Sequence, residues 1–262
     1  MTRFNLTEFA GMTYAEKLAR SQSKRDLVLK FLSKGEVYLT IDVACALLGL
    51  SRPTALTTLR KLETLGCLKT EAMIVPWKDH PRNTVLFGIT PTGLAHAGAD
   101  PSAPVFELGR TNPLYVQHHR QCQLLHVRAL ILGWSGWVSE RTLRDKNVKL
   151  KKIPDAIGLD PDGQRVAIEM ERSVKSSKRY AQIQEQYLAD LKKGKIDRVA
   201  YVCLPKIVNN VQKLFRHVEK HNFQFFSLDY WPLSPLPRLD QPAPPANNLR
   251  GAMRIVHLEL PD

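Results

Sequence analysis

The feature that most restricts how this chain can fold is the stretch KIPDAIGLDPDGQRVAIEMER, residues 152–172. Two apolar runs flank DPDG, a Pro/Gly turn of the kind that reverses a strand, so the stretch predicts a β-hairpin. Side chains alternate along a strand, which puts Val166, Ile168 and Met170 on one face and Ala167, Glu169 and Glu171 on the other. Asp155 lies on the partner strand and joins the two glutamates if the register sets it beside Glu169. Three ionised carboxylates at one place repel one another, and a divalent cation is the usual way to neutralise them. The competing reading is a solvated strand face, with Glu169 and Glu171 paired to Arg165 and Arg172.

The hairpin sits in a longer pattern. LYVQHHRQCQLLHVRALILGW predicts a helix, WVSERTL a strand, VKLKKIPDAIGLD and QRVAIEMER the two hairpin strands, and Val174 to Lys193 a helix. RVAYVCLP, KIVNNVQKLFRHVEKH and FQFFSLDYW then predict strand, helix and strand. The order α-β-β-β-α-β-α-β describes an α/β (α+β) domain with a mixed central sheet flanked by helices. His118, Cys122 and His126 recur every four residues, as do the packing positions of a helix, and are read as its buried face. Tyr180, Ile183, Tyr187 and Leu191 have helical spacing and are core positions in the first instance; the functional option keeps Tyr180 or Tyr187 beside a scissile phosphate.

The first hundred residues read differently. QSKRDLVLKFLSK, from Gln22, predicts an amphipathic helix ending before Gly35. Thr40 and Ser51 can cap IDVACALLG and RPTALTTLRKLETLG, two short helices joined at Gly49-Leu50, with Ala55, Leu59, Leu62 and Leu65 as a buried stripe. CLKTEAMIVPW and NTVLFGIT can pair as a hairpin and TPTGLAHAG closes the unit, which completes a winged helix-turn-helix. Its third helix presents Arg52, Thr54, Thr57, Thr58 and Lys61, side chains that can reach phosphates and base edges in a major groove. The formal net charge of +13 agrees with a polyanionic partner. The domains expected are therefore 1–100 for DNA binding and 111–232 for the carboxylate-bearing core, with the Pro/Gly-rich stretch around Gly98 to Pro113 as junction and a proline-rich tail at 233–262.

From Arg172 to Arg198 basic residues outnumber acidic ones, so a polyanion can be kept near a cluster that would otherwise repel it; Lys175 and Arg179 are the expected backbone contacts. The four cysteines (Cys45, Cys67, Cys122, Cys203) form no CxxC pair, and the start lacks an apolar secretory core. Both fit a cytoplasmic protein.

Pro-Asp followed across a hairpin by Glu-x-Glu resembles the PD-(D/E)XK nuclease superfamily, which uses Mg²⁺ or Mn²⁺ to hydrolyse phosphodiesters. The order of HHRQCQLLHVRA, WVSER, PDA, IEMERS and RYAQIQEQY behind a winged helix resembles the replication-relaxation proteins and the MobC-type plasmid relaxases. The resemblance implies an enzyme that recognises a plasmid transfer origin, as duplex and single strand, and nicks one strand to begin conjugative mobilisation with an accessory mobilisation or coupling protein. It implies metal ligation by Glu140, Asp155, Glu169 and Glu171, and catalytic roles for Asp155, Glu169, Glu171, Lys178 and Tyr187. One departure is that Glu171 stands where the superfamily has lysine; Lys175 or Lys178 from the next helix is the expected replacement. The departure keeps a rival open, a non-catalytic plasmid replication or transcription regulator that binds DNA. A restriction-type nuclease would need a dimer element, and none is evident.

Overall fold

Helix α1 (Tyr14–Phe31) begins well before the Gln22 start suggested by the apolar pattern, because Thr13 and Glu16 form a capping box. The Thr13 amide donates to the Glu16 carboxylate at 2.6 Å and the Glu16 amide to the Thr13 hydroxyl at 3.3 Å. The computed structural model describes residues 13–77, 80–215, 222–229 and 231. The chain is mixed α/β and divides into two compact units. One comprises the chain up to Ser33, Val37–Ala72 and Val85–Glu107; the other comprises Lys34–Glu36, Met73–Thr84 and everything from Leu108. The turn after α1 and the far end of a β-hairpin thus group with the second unit, which no linear boundary anticipates. The tail expected at 233–262 lies outside the described residues.

In the first unit α1 is followed by strand β1 (Tyr38–Leu39), α2 (Ile41–Leu48), α3 (Arg52–Thr64), β2 (Leu68–Val75), β3 (Arg82–Ile89) and α4 (Pro91–His96). The sheet order is β1-β3-β2. Gly49 ends α2 at φ 61°, a left-handed conformation that glycine adopts without a Cβ clash and that lets the chain turn into α3. Ala55, Leu59 and Leu62 are buried as the stripe requires, whereas Leu65, past the last turn of α3, is half exposed. Thr40 and Ser51 hold the N-cap positions expected of them, but their hydroxyls bond to the Asp42 carboxylate (2.5 Å) and the Thr54 hydroxyl (3.0 Å) rather than to helix amides.

The second unit runs α5 (Pro113–Ile131), β4 (Ser135–Ser139), α6 (Glu140–Asp145), β5 (Ala156–Leu159), β6 (Arg165–Glu171), α7 (Ser177–Lys192), β7 (Arg198–Cys203), α8 (Val208–Lys213) and β8 (Phe223–Ser227). This is the expected order with one insertion: WVSERTL is a strand only to Ser139, and Glu140 opens a short helix. The first hairpin strand is also shorter than its sequence pattern, since only Ala156–Leu159 pairs. The part of KIVNNVQKLFRHVEKH beyond Phe215 lies outside the described residues. The five strands are ordered β4-β5-β6-β7-β8, antiparallel from β4 to β6 and parallel from β6 to β8.

Both faces of the sheet are covered, which is why β6 and β7 are buried over nearly their whole length. On one face Val166, Ile168 and Met170 pack with Leu125 of α5 and Trp231. On the other, Ala167 packs with Tyr180, Ile183 and Tyr187 of α7 and with Tyr201 of β7. Strand alternation carries Glu169 and Glu171 onto this second, aromatic face.

Candidate functional site

The β5/β6 ladder pairs Ala156 with Ile168 and Ile157 with Ala167. One antiparallel step further sets Asp155 beside Glu169, the register on which a shared site depends. Asp155 is pinned there from three sides: its Oδ2 accepts from the Met170 amide at 2.7 Å, its Oδ1 lies 3.1 Å from His118 Nε2, and its carbonyl accepts from the Glu140 amide at 2.8 Å. Burial pushes the Asp155 carboxyl up, but His118, the Met170 amide and Lys152 together outweigh that and hold it below its ordinary value.

Glu169 is 5% exposed, and its Oε1 accepts from Lys152 Nζ at 2.6 Å and from the Tyr187 hydroxyl. Burial and the adjacent Asp155 charge push its carboxyl up to about 7 against the pull of Lys152 and Tyr187. Two carboxylates on adjacent strands are thus driven apart, Asp155 held below its ordinary value and Glu169 raised above its own, first by burial and then by the Asp155 charge.

Lys152 has no counterpart among the sequence-based candidates. It reaches Glu169 because the chain before Pro154 is tied down: the Lys151 amide donates to Asp190 of α7 at 2.7 Å, and Lys152 Nζ also donates to the Ile153 carbonyl at 2.5 Å. In the sequence it is indistinguishable from Lys149 and Lys151 beside it.

The other expected residues fall elsewhere. Glu171 is buried and pairs with Lys175, four residues on, so neither Glu169 nor Glu171 takes the arginine partner that a solvated face suggested. Arg165 pairs with Asp197 at 3.1 Å and Arg172 donates to Gln117 at 2.5 Å. The Glu140 side chain is turned to Arg144, which donates at 3.0 Å. Lys178 and Arg179 are exposed in the first turn of α7. Tyr187 is 1% exposed, and burial followed by the Glu169 charge pushes its hydroxyl well above its ordinary value, so it donates a proton to a hydrogen bond and is poorly suited to ionise. Tyr180 is fully buried, its hydroxyl 3.5 Å from the Lys175 amide.

The helix positions read as one packing face divide in two. His126 stacks on Trp137 at 4.7 Å between ring centroids and lies 3.4 Å from Glu36, whereas His118 and Cys122 turn to Asp155.

On the first unit, Arg52, Thr54, Thr57 and Lys61 are exposed and Thr58 is half-buried. The Thr57 and Thr58 hydroxyls bond back to the carbonyls of Pro53 and Thr54 at 3.0 and 3.2 Å. A groove beside them is lined by Arg25, Thr57, Arg60, Lys61, Thr64 and Leu65. Arg25 of α1 and Arg60 of α3 add two cations that the helix pattern alone did not single out.

Comparison with models of known families, with curated proteins and with solved structures finds no match. Among the described residues, no helix is long and apolar enough to cross a membrane.

Proposed function

We propose that this chain is a metal-dependent DNA endonuclease, with a winged helix-turn-helix that binds duplex DNA and a PD-(D/E)XK-like core that cuts one strand. The observation that carries the reading is that Asp155, one residue before the β5/β6 ladder, is held to β6 by the Met170 amide next to Glu169, with the Lys152 ammonium on Glu169. A divalent cation fits this donor set. Two hard oxygen donors come from adjacent strands, and of the two causes that raise the Glu169 carboxyl, burial and then the Asp155 charge, a cation relieves the second. Asp155 and Glu169 would hold it, and it would supply polarisation of a phosphodiester and an activated water.

The remaining residues act around that pair. Lys152 takes the part of the strand lysine that the superfamily has where Glu171 stands, offering an ammonium to a phosphate oxygen. Tyr187 orients Glu169, and the Met170 amide and His118 orient Asp155. Following the order of its motifs, the substrate we assign is a plasmid transfer origin, nicked on one strand as MobC-type relaxases do, with an accessory mobilisation protein as partner.

A supercoiled, origin-bearing plasmid incubated with Mg²⁺ or Mn²⁺ tests this. Open circles should form, and Asp155→Asn and Lys152→Met should abolish them while leaving duplex binding intact. If the parent protein binds the plasmid but converts none of it with either cation, the endonuclease reading is wrong. One observation favours the rival, a DNA-binding regulator: Glu171 is occupied by Lys175, and each carboxylate of the cluster already has a protein partner.

A further inference from the structure

We propose that His118, Cys122 and Asp155 form a binding site for a borderline divalent transition metal of the Zn²⁺ or Co²⁺ class. His118 Nε2, Cys122 Sγ and an Asp155 carboxylate oxygen all lie within 4.8 Å of one another. Nε2 is 3.7 Å from the sulfur and 3.1 Å from Oδ1. A tetrahedral ion with bonds of about 2.0 Å to nitrogen and oxygen and about 2.3 Å to sulfur sets ligand atoms roughly 3.3 to 3.6 Å apart. The two measured edges bracket that range, and the third, from the sulfur to the carboxylate, is no more than 4.8 Å.

The backbone prepares the arrangement. His118 and Cys122 are four apart on α5, so one helix face presents both, as in helical metal motifs with ligands at i and i+4. Asp155 is held against them by the Met170 amide. All three residues are half-buried rather than sealed, which leaves an approach for an ion and a fourth position for water or a substrate oxygen.

The chemistry separates this ion from a Mg²⁺-like one. Magnesium takes oxygen donors and disfavours thiolate, whereas an N, S, O set suits zinc and cobalt. Coordination replaces the thiol proton, which leaves to solvent. In the free protein burial and the surrounding carboxylates Asp155, Glu36, Glu140 and Glu169 keep that thiol well above its ordinary value. The same negative surroundings favour a cation. The ion would share Asp155 with the proposed nuclease centre, and its binding is read without DNA, so either assignment can fail alone.

The test is a titration of the full-length, metal-free, reduced protein with Co²⁺. One equivalent should bind with a thiolate-to-cobalt charge-transfer band and the intense visible bands of a tetrahedral ion, and Zn²⁺ should displace it. Cys122→Ser should abolish the charge-transfer band. His118→Ala should weaken binding by more than the roughly 10- to 100-fold that removing a supporting outer group costs. Asp155→Asn, which leaves the thiol and the fold in place, should weaken binding but keep the band. Cobalt bound without a thiolate band, a band that survives Cys122→Ser, or no cobalt bound would each overturn the site, and in all three cases Mg²⁺-dependent nicking could still be observed.

Discussion

Replacing Glu169 with glutamine should remove a large part of the pH dependence of stability of the second unit. In the folded chain the Glu169 carboxyl is raised from its ordinary 4.5 to about 7. The folded state therefore holds this proton more tightly than the unfolded chain, so the stabilisation is complete below about pH 4.5 and is lost as the pH rises through about 7. At 1.36 kcal/mol for each pK unit the difference is about 3 kcal/mol, most of which falls between pH 5 and pH 8.5. The side chain is only 6% exposed, so solvent screening takes little from it. Glutamine keeps the shape and cannot ionise, so its stability should lack this decline. The assay is urea unfolding followed by tryptophan fluorescence, which reports the second unit because Trp77, Trp134, Trp137 and Trp231 all belong to it. The gap between variant and parent should shift in favour of the variant by about 2 to 3 kcal/mol from pH 5 to pH 8.5. Mg²⁺ favours the ionised carboxylate and should restore stability at high pH to the parent and not to the variant. Parallel curves for the two proteins would refute the reasoning, because Glu169 would then titrate alike in the folded and unfolded chain.

Other perturbations test neighbouring groups. Tyr187→Phe removes a hydroxyl that lowers the Glu169 carboxyl, so the midpoint of that pH dependence should move upward; an unchanged midpoint would mean that the hydrogen bond is not made in solution. Reversing the charge of Arg60 and Lys61 together should weaken duplex binding in fluorescence anisotropy and flatten its salt dependence by roughly 0.9 log units for each phosphate no longer neutralised, with Mn²⁺-dependent cleavage of nonspecific DNA kept. Gly93→Ala would bring a Cβ within 2.2 Å of the Cys67 carbonyl oxygen and should destabilise the first unit. The cost is about 1 to 3 kcal/mol of overpacking, and a circular-dichroism melt indistinguishable from the parent's would count against that close approach.

What the sequence alone determined was periodic. The 3.6-residue stripe in α3, the alternation in VAIEMER and the DPDG turn are local patterns, and each produced the expected element. They also put Glu169 and Glu171 on one face, since alternation needs no knowledge of the partner strand. Local signals misled where two meanings share one pattern: WVSERTL reads as a strand until Ser139 ends it and Glu140 opens a helix. The partners of the carboxylates were a tertiary decision. A glutamate on a strand has arginines near it in sequence, but at this place Arg165 is drawn to Asp197 and Arg172 to Gln117, while Lys152 reaches Glu169 only because Asp190, far along the chain, ties down Lys151. Spacing put His118, Cys122 and His126 on one packing face, but helical periodicity does not show that the first two turn toward Asp155. The approach of α5 to the residue just before β5 brings Asp155 within reach of His118, and a long-range contact of that kind leaves no periodic trace in the chain.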